Sequence, residues 1–241
     1  MRQVVIRLRF QALATLLLLW PAAGRAQVGM SGLSGYINVP SAEVLQDGTL
    51  EFGYNVFAQR WAYDHRGRFS NNAYFATLGF VPRVEAMVRV TAVPGLISYT
   101  EEDSSSNLTD ADRMWAGKWQ VVRGSGLAPD VAVGTEDPLG TRRFHAIYVV
   151  AGRRLRVAGA EFRVDAGVAP RLVKHVTNYT LHGGFAAAEV RPIPWAAFAA
   201  EFDTEKWNVG FKARAPLGLT GRLVWLNGRT LTGGLGLRLR L

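Results

Sequence analysis

The chain has 241 residues, of which 49% are hydrophobic and 20% are charged, and it contains no cysteine. This composition is typical of a folded protein and excludes a disordered, collagen-like or disulfide-stapled chain. The formal charge is +9, but the first 26 residues hold four arginines and no acid, so the remainder carries 9 − 4 = +5. A basic surplus of this size is weak support for nucleic-acid binding, and we predict no nucleic-acid partner.

The first 26 residues have the three-part order of a secretory signal peptide. A basic start precedes an apolar run from Phe10 to Ala23, and the small residues Gly24 and Ala26 suit cleavage after Ala26. The run is shorter than the ~20 residues that a transmembrane helix needs, which disfavours an uncleaved anchor. We therefore expect export through the general secretory pathway, to the periplasm, the extracellular space or the outer membrane.

From Thr49 onward the dominant pattern is the alternation of apolar and polar residues, which is the period of a β-strand. The clearest segment spans 207–215, where Phe211 falls on the apolar face and Lys212 on the polar face. Turn signals such as Asn227-Gly228 separate the segments. The pattern predicts roughly twelve strands of about ten residues, the length with which a tilted strand crosses a membrane.

Two classes of all-β protein have this alternation: a soluble sandwich with a solvated polar face, and an outer-membrane barrel with a polar lumen. Bulky apolar residues in almost every strand, with Trp and Tyr near strand ends, favour the barrel. The C-terminal pattern Gly236-x-x-Leu239-x-Leu241 resembles the terminal strand signal that bacterial outer-membrane barrels present to their assembly machinery.

We therefore predict an all-β fold, a single antiparallel transmembrane β-barrel over residues 49–241. The polar face supplies the predicted lumen-facing residues, which are Glu51, Glu85, Arg89, Arg163, Asp165, Glu201, Asp203, Lys212, Arg214, Arg222, Arg238 and Arg240. A short irregular segment, residues 27–48, precedes the barrel. Its Gly, Pro and Ser content leaves two alternatives open: a plug inside the lumen, or a periplasmic leader.

The same segment resembles the opening of the YjbH-like family through Gly32-Leu33-x-Gly35, Pro40-Ser41-Ala42 and Asp47-Gly48. Blocks at 129–151 and 183–203 resemble later parts of that family. Its members are outer-membrane β-barrel proteins associated with exopolysaccharide and capsule production. The resemblance implies a location in the outer membrane of a Gram-negative bacterium and a role in envelope polysaccharide biology. It supplies no catalytic residues.

No motif has the spacing of an enzyme site or a phosphate loop, and the four histidines (His65, His145, His175 and His182) are scattered. The acidic stretch from Glu101 to Asp112 lacks the glycine-anchored spacing of a calcium loop. We predict no catalytic residue, no cofactor and no metal.

Three functions remain. The first is a barrel whose polar lumen binds sugar hydroxyls or carboxylates during exopolysaccharide secretion or surface assembly. The second is a structural or assembly partner whose lumen is closed by its own charge pairs, and the third is a barrel enzyme acting on lipid or glycan. The expected partners are outer-membrane lipid, the barrel assembly machinery, the polysaccharide and other exopolysaccharide secretion proteins.

Overall fold

A closed barrel of twelve antiparallel strands forms the protein, as the alternation predicted. The computed structural model describes residues 26–57, 71–92, 111–139, 144–171 and 181–241. The strands are β1 (Thr49–Phe57), β2 (Asn71–Val81), β3 (Val84–Ala92), β4 (Ala111–Val122), β5 (Asp130–Glu136), β6 (Ala146–Val157), β7 (Ala160–Ala169), β8 (Gly183–Ile193), β9 (Ala196–Phe202), β10 (Trp207–Arg214), β11 (Leu219–Leu226) and β12 (Thr230–Arg240).

Some predicted features lie outside the described residues. They are the signal peptide up to residue 25, the acidic stretch up to residue 110, His65 and His175. In the ranges that are described, no helix is long and apolar enough to cross a membrane.

The two sides of the barrel wall differ in chemistry. On β10, Trp207 is 67% exposed and Val209 is exposed, whereas Asn208 and Lys212 are buried. The other strands repeat this arrangement, with apolar side chains outside and most polar ones inside. A water-soluble protein buries its apolar side chains and exposes its charged ones, whereas this barrel exposes apolar side chains and buries charged ones.

The strands define two ends of the barrel. At the end where β1 begins and β12 ends, which we call the turn end, the connections span 82–83, 123–129, 158–159, 194–195 and 215–218. The opposite end, which we call the loop end, carries the connections between β1 and β2, β3 and β4, and β7 and β8. Both chain-terminal strands thus open onto the turn end.

Pairing of the first and last strands closes the barrel and removes its edges. Leu50 pairs with Leu239 and Thr49 with Arg240, and the Leu241 N–H donates to the Gly48 carbonyl at 2.7 Å. A closed ladder satisfies the backbone of every strand, and an unpaired edge is prone to aggregation.

Removal of residues 239–241 is expected to prevent closure, because β1 would lose the partners of Thr49 and Leu50. A closed barrel resists detergent, so the intact chain should migrate faster on gels when unheated than when heated. The truncated chain should show a single, unfolded band. Leu239→Val is the matched control, since it keeps the backbone pairs. A compact unheated band from the truncated chain would show that these pairs are dispensable.

Candidate functional site: the filled lumen

Residues 27–48, which we call the plug, lie mostly inside the barrel. The plug begins near the turn end, where the carbonyl of the preceding residue, Ala26, accepts a hydrogen bond from Arg214 at 2.9 Å. It reaches β9 of the wall at residues 37–39 and returns to the turn end before β1. Two isolated bridges, Val28 with Ser34 and Gly35 with Pro40, are its only β-pairings among the described residues.

Most of the polar groups in the plug belong to its backbone, because the segment has few charged side chains. Glu43 and Asp47 are its only charged residues, and most of its residues are buried. A buried backbone outside helix or sheet needs hydrogen-bond partners from elsewhere. The wall supplies them, and it does so largely with charged side chains.

Glu201 of β9 holds the far turn of the plug. Its carboxylate accepts the backbone N–H groups of Ile37 at 2.9 Å, Asn38 at 2.9 Å and Val39 at 3.0 Å. The side-chain amide of Asn208 donates to the same carboxylate at 3.1 Å. Glu201 is fully buried, so these donors take the place of water around its charge.

Two further carboxylates bind other N–H groups of the plug in the same way. Glu85 accepts the N–H of Ser34 at 2.9 Å and that of Leu45 at 2.7 Å. Asp165 accepts the Ala42 N–H at 2.8 Å. The wall therefore contacts the plug backbone on strands that lie on different sides of the barrel.

Cationic side chains of the wall bind the plug carbonyls. Lys118 donates to the Ser41 carbonyl at 3.0 Å and pairs with Glu85 at 3.1 Å. The other contacts of this kind are Arg89 to Ser31 at 2.9 Å, Lys212 to Gly35 at 2.9 Å and Arg222 to Val28 at 2.8 Å. Each of these four cations thus lies against the negative end of a plug carbonyl dipole.

Glu43 is the one plug side chain that forms ion pairs with the wall in the described residues. Its carboxylate lies 2.5 Å from Arg154 and 2.7 Å from Arg163. Burial alone would raise the pKa of the Glu43 carboxyl, but the charges of Arg163 and Arg154 outweigh it and hold the pKa below its usual value. Glu43 is therefore ionised at neutral pH.

Tyr36 anchors the plug by its side chain. Its hydroxyl donates to the Asp165 carboxylate. Burial, and after it the neighbouring charge of Asp165, raises the pKa of the Tyr36 hydroxyl well above its usual value. The hydroxyl consequently remains protonated and remains a donor.

Apolar packing completes the interior. Leu33 and Leu45 of the plug pack with Phe75 and Met87 of the wall, and Tyr36 belongs to a second cluster on the β5–β9 side. Met30 and Ile37 belong to a third cluster. Burying one such side chain contributes about 1.5–3 kcal/mol, so the clusters add substantially to the hydrogen bonds.

Little free space remains where the plug meets β10 and β11. The cavity beside Gln27, Val28 and Arg222 has a volume of about 10 Å³, which holds roughly one water molecule. The plug therefore fills this part of the lumen.

The structure places the predicted lumen-facing residues as follows. Arg214 and Arg238 are half-buried, and Arg240 is exposed at the turn end, where it donates to Gln46. The other predicted residues are buried in the interior: Glu51, Glu85, Arg89, Arg163, Asp165, Glu201, Asp203, Lys212 and Arg222. The plug or neighbouring wall residues engage these side chains, and the structure does not present them to a solute.

Sequence reasoning missed several members of this network. Glu43 was not singled out, although its signal was available: it is one of only two charges in an otherwise neutral segment. The alternation places Asn55 and Lys118 on the polar face, and both bind plug carbonyls, a role that the pattern does not predict. Among the described residues, no group of histidines and acids is arranged to hold a metal ion.

One comparison with known proteins identifies relatives. A family model described as exopolysaccharide biosynthesis protein YbjH matches residues 28–181. The matched range is more than half of the 241-residue chain, and it includes most of the plug together with β1–β7. A search of curated proteins found no match.

Proposed function

Because the chain belongs to the YjbH family of exopolysaccharide biosynthesis proteins, we propose that it is a plugged outer-membrane barrel. In this role it contributes to exopolysaccharide secretion or surface assembly as a structural or assembly partner, without catalysis. The observation that carries the proposal is the filled lumen, in which buried wall charges bind the plug backbone.

The outer wall supports a membrane location. Exposed apolar side chains such as Val88, Val164 and Leu235 cover strands around the whole barrel. Exposed Trp119 and Trp195 lie near the turn end and Trp207 near the loop end, as in the aromatic girdles of membrane barrels. Lipid is the expected partner of this surface, and the barrel assembly machinery is expected to insert it.

The plug argues against a route for polymer through the lumen. A sugar chain would have to displace contacts on at least Glu201, Glu85 and Lys118 at once. A hydrogen bond to a charged group contributes about 1.5–3 kcal/mol, and removing one partner leaves a buried charge unpaired. The structure thus favours the closed-lumen alternative over the open polar lumen.

The buried carboxylates hold the plug in place, and this structural role supports a function without catalysis. Glu85, Asp165 and Glu201 each accept plug N–H groups, so none faces a site that a substrate reaches. These residues orient the plug, and the plug N–H groups offset the desolvation cost of burying the carboxylates.

Locking the plug in place tests the proposal. Asn38 of the plug donates to Asp203 of the wall at 3.2 Å, and the chain has no native cysteine. Asn38→Cys with Asp203→Cys can therefore be bridged by dibromobimane, a short bis-alkylating reagent, in a strain that lacks the chromosomal gene. We expect the gene deletion to lower matrix polysaccharide, and the bridged and unbridged double variants to restore it equally.

Two results would contradict the proposal. Unchanged polysaccharide in the deletion strain would remove the role itself, and loss of output only after bridging would show that the plug must move for polymer to pass. In planar bilayers, the wild-type barrel is expected to give no conductance steps, and steady conductance would exclude a closed lumen.

A further inference from the structure

The turn end of the barrel exposes two leucines that pack on nothing. Leu127, in the 123–129 connection, is 91% exposed, and Leu217, in the 215–218 connection, is 89% exposed. Single exposed apolar residues are common on protein surfaces. These two are unusual for two reasons: Leu217 has a strained backbone conformation, and both leucines lie beyond the tryptophans at this end of the barrel.

Leu217 occupies a backbone conformation that leucine avoids. Its φ is 63°, and Gly218 follows with a φ of 82°. Turns with two positive φ values favour Asn-Gly, and the chain uses that pair at Asn227-Gly228, with φ values of 49° and 62°. A leucine in the left-handed region is strained, and no contact inside the barrel offsets the strain.

Both leucines lie beyond the tryptophans of the turn end. The Trp195 carbonyl accepts the Arg214 N–H at 2.8 Å, which sets these residues at one level, and Leu217 is further along the chain toward the turn tip. Leu127 follows the end of β4, past Trp119. Interfacial tryptophans mark the edge of the hydrocarbon, so lipid tails do not cover the two leucines.

The exposed charges of the turn end are almost all positive. At the turn end, the exposed charged residues in the described ranges are Arg83, Arg123, Arg156 and Arg240, with Asp47 as the single acid. Arg156 pairs with Glu161 at 2.7 Å. Arginines around apolar anchors are the composition of protein-binding surfaces, and they complement a negative partner.

We propose that the turn end is a docking surface for a protein whose contact face carries acidic residues and two separate apolar pockets. Leu127 enters one pocket, and Arg83 and Arg123 on the same side of the barrel pair with the acids beside it. Leu217, in the β10–β11 connection on the opposite side of the barrel, enters the second pocket. This inference rests on the proposed function, since a barrel with a closed lumen acts through the proteins that it holds.

One substitution separates docking from folding. Leu217→Asn installs the residue that the turn prefers, so the folded, heat-modifiable barrel should be kept or become more stable. Leu217→Asn with Leu127→Ser is nevertheless expected to lower matrix polysaccharide toward the level of the gene deletion, because loss of a buried anchor weakens binding roughly thirtyfold. Leu139→Ser is the matched control, since Leu139 is 78% exposed at the loop end, and it should have no effect.

Photocrosslinking in intact cells identifies what covers the surface. A benzophenone amino acid at position 217 is expected to give one protein adduct whose yield falls at least several-fold when Arg83 and Arg123 are both changed to Glu. The same probe at position 139 should not give that adduct. The adduct should bind the purified wild-type barrel in nanodiscs less tightly as salt rises, because the arginine contacts are exposed to solvent.

The outcomes are distinguishable. A lipid adduct at position 217, or unchanged polysaccharide in the leucine double variant, would overturn the docking surface and leave the proposed function intact. Normal polysaccharide after deletion of the whole gene would instead remove the proposed function. A protein adduct that is insensitive to reversal of both arginines would exclude an acidic partner face.

Discussion

Replacing Glu201 by alanine is expected to release the far turn of the plug. The barrel, which is expected to pass no ions when intact, should then conduct ions. The change removes the acceptor of the Ile37, Asn38 and Val39 N–H groups. A buried donor left unsatisfied costs about 1–3 kcal/mol, so three of them amount to several kcal/mol. Amide exchange at 37–39, followed by mass spectrometry, should accelerate by orders of magnitude, and planar bilayers should record intermittent steps.

Glu205→Ala is the matched control, because Glu205 lies near the same end of β9 and is exposed. It should leave both the exchange and the conductance at wild-type values. Unaltered exchange at 37–39 in the Glu201 variant would show that apolar packing alone holds the plug, and that the carboxylate contributes little.

Replacing Phe211 by arginine is expected to destabilise the barrel in lipid by roughly 2–4 kcal/mol near the midplane. Phe211 lies on the outer face of β10 and packs against Phe198 with ring centroids 5.1 Å apart. An arginine there places a charge in hydrocarbon. Urea unfolding in vesicles measures the change, and Phe211→Leu, which stays apolar, should lose much less.

An arginine at this position would also destabilise a protein whose apolar face packs against other protein atoms. A second measurement therefore decides what the outer face contacts. Trp207 lies on the same face and is 67% exposed. In a background with no other tryptophan, brominated lipid should quench its fluorescence. A Trp207 that ignores brominated lipid in reconstituted vesicles would exclude a membrane around this face.

The alternation of residue types made the barrel predictable. In β10, the predicted faces of Phe211 and Lys212 agree with their positions outside and inside the wall. Alternation reports only a local property of the strand, the side to which each residue points. The count of twelve strands followed from the same period and from turn signals.

What fills the lumen could not be derived in this way. A charged lumen that holds water and one that holds a plug require the same residue types, so the twelve selected positions did not distinguish them. The plug has no period, because its backbone bonds are made with residues far along the chain, such as Ile37 with Glu201. Sequence reasoning therefore left the plug and the leader as open alternatives.

The position of the plug also bears on how the barrel is built. Met30 binds Asn55 of β1, and Val28 binds Arg222 of β11, while Glu51 of β1 contacts both Arg222 and Arg238 of β12. A segment at the start of the folded chain thus spans the first strand and the last hairpin. Ordering the plug reduces the loop-closure entropy that the final strand must overcome to find its partner. We therefore expect seating of the plug to favour closure of the wall, because the seated plug holds β1 and the last hairpin near each other.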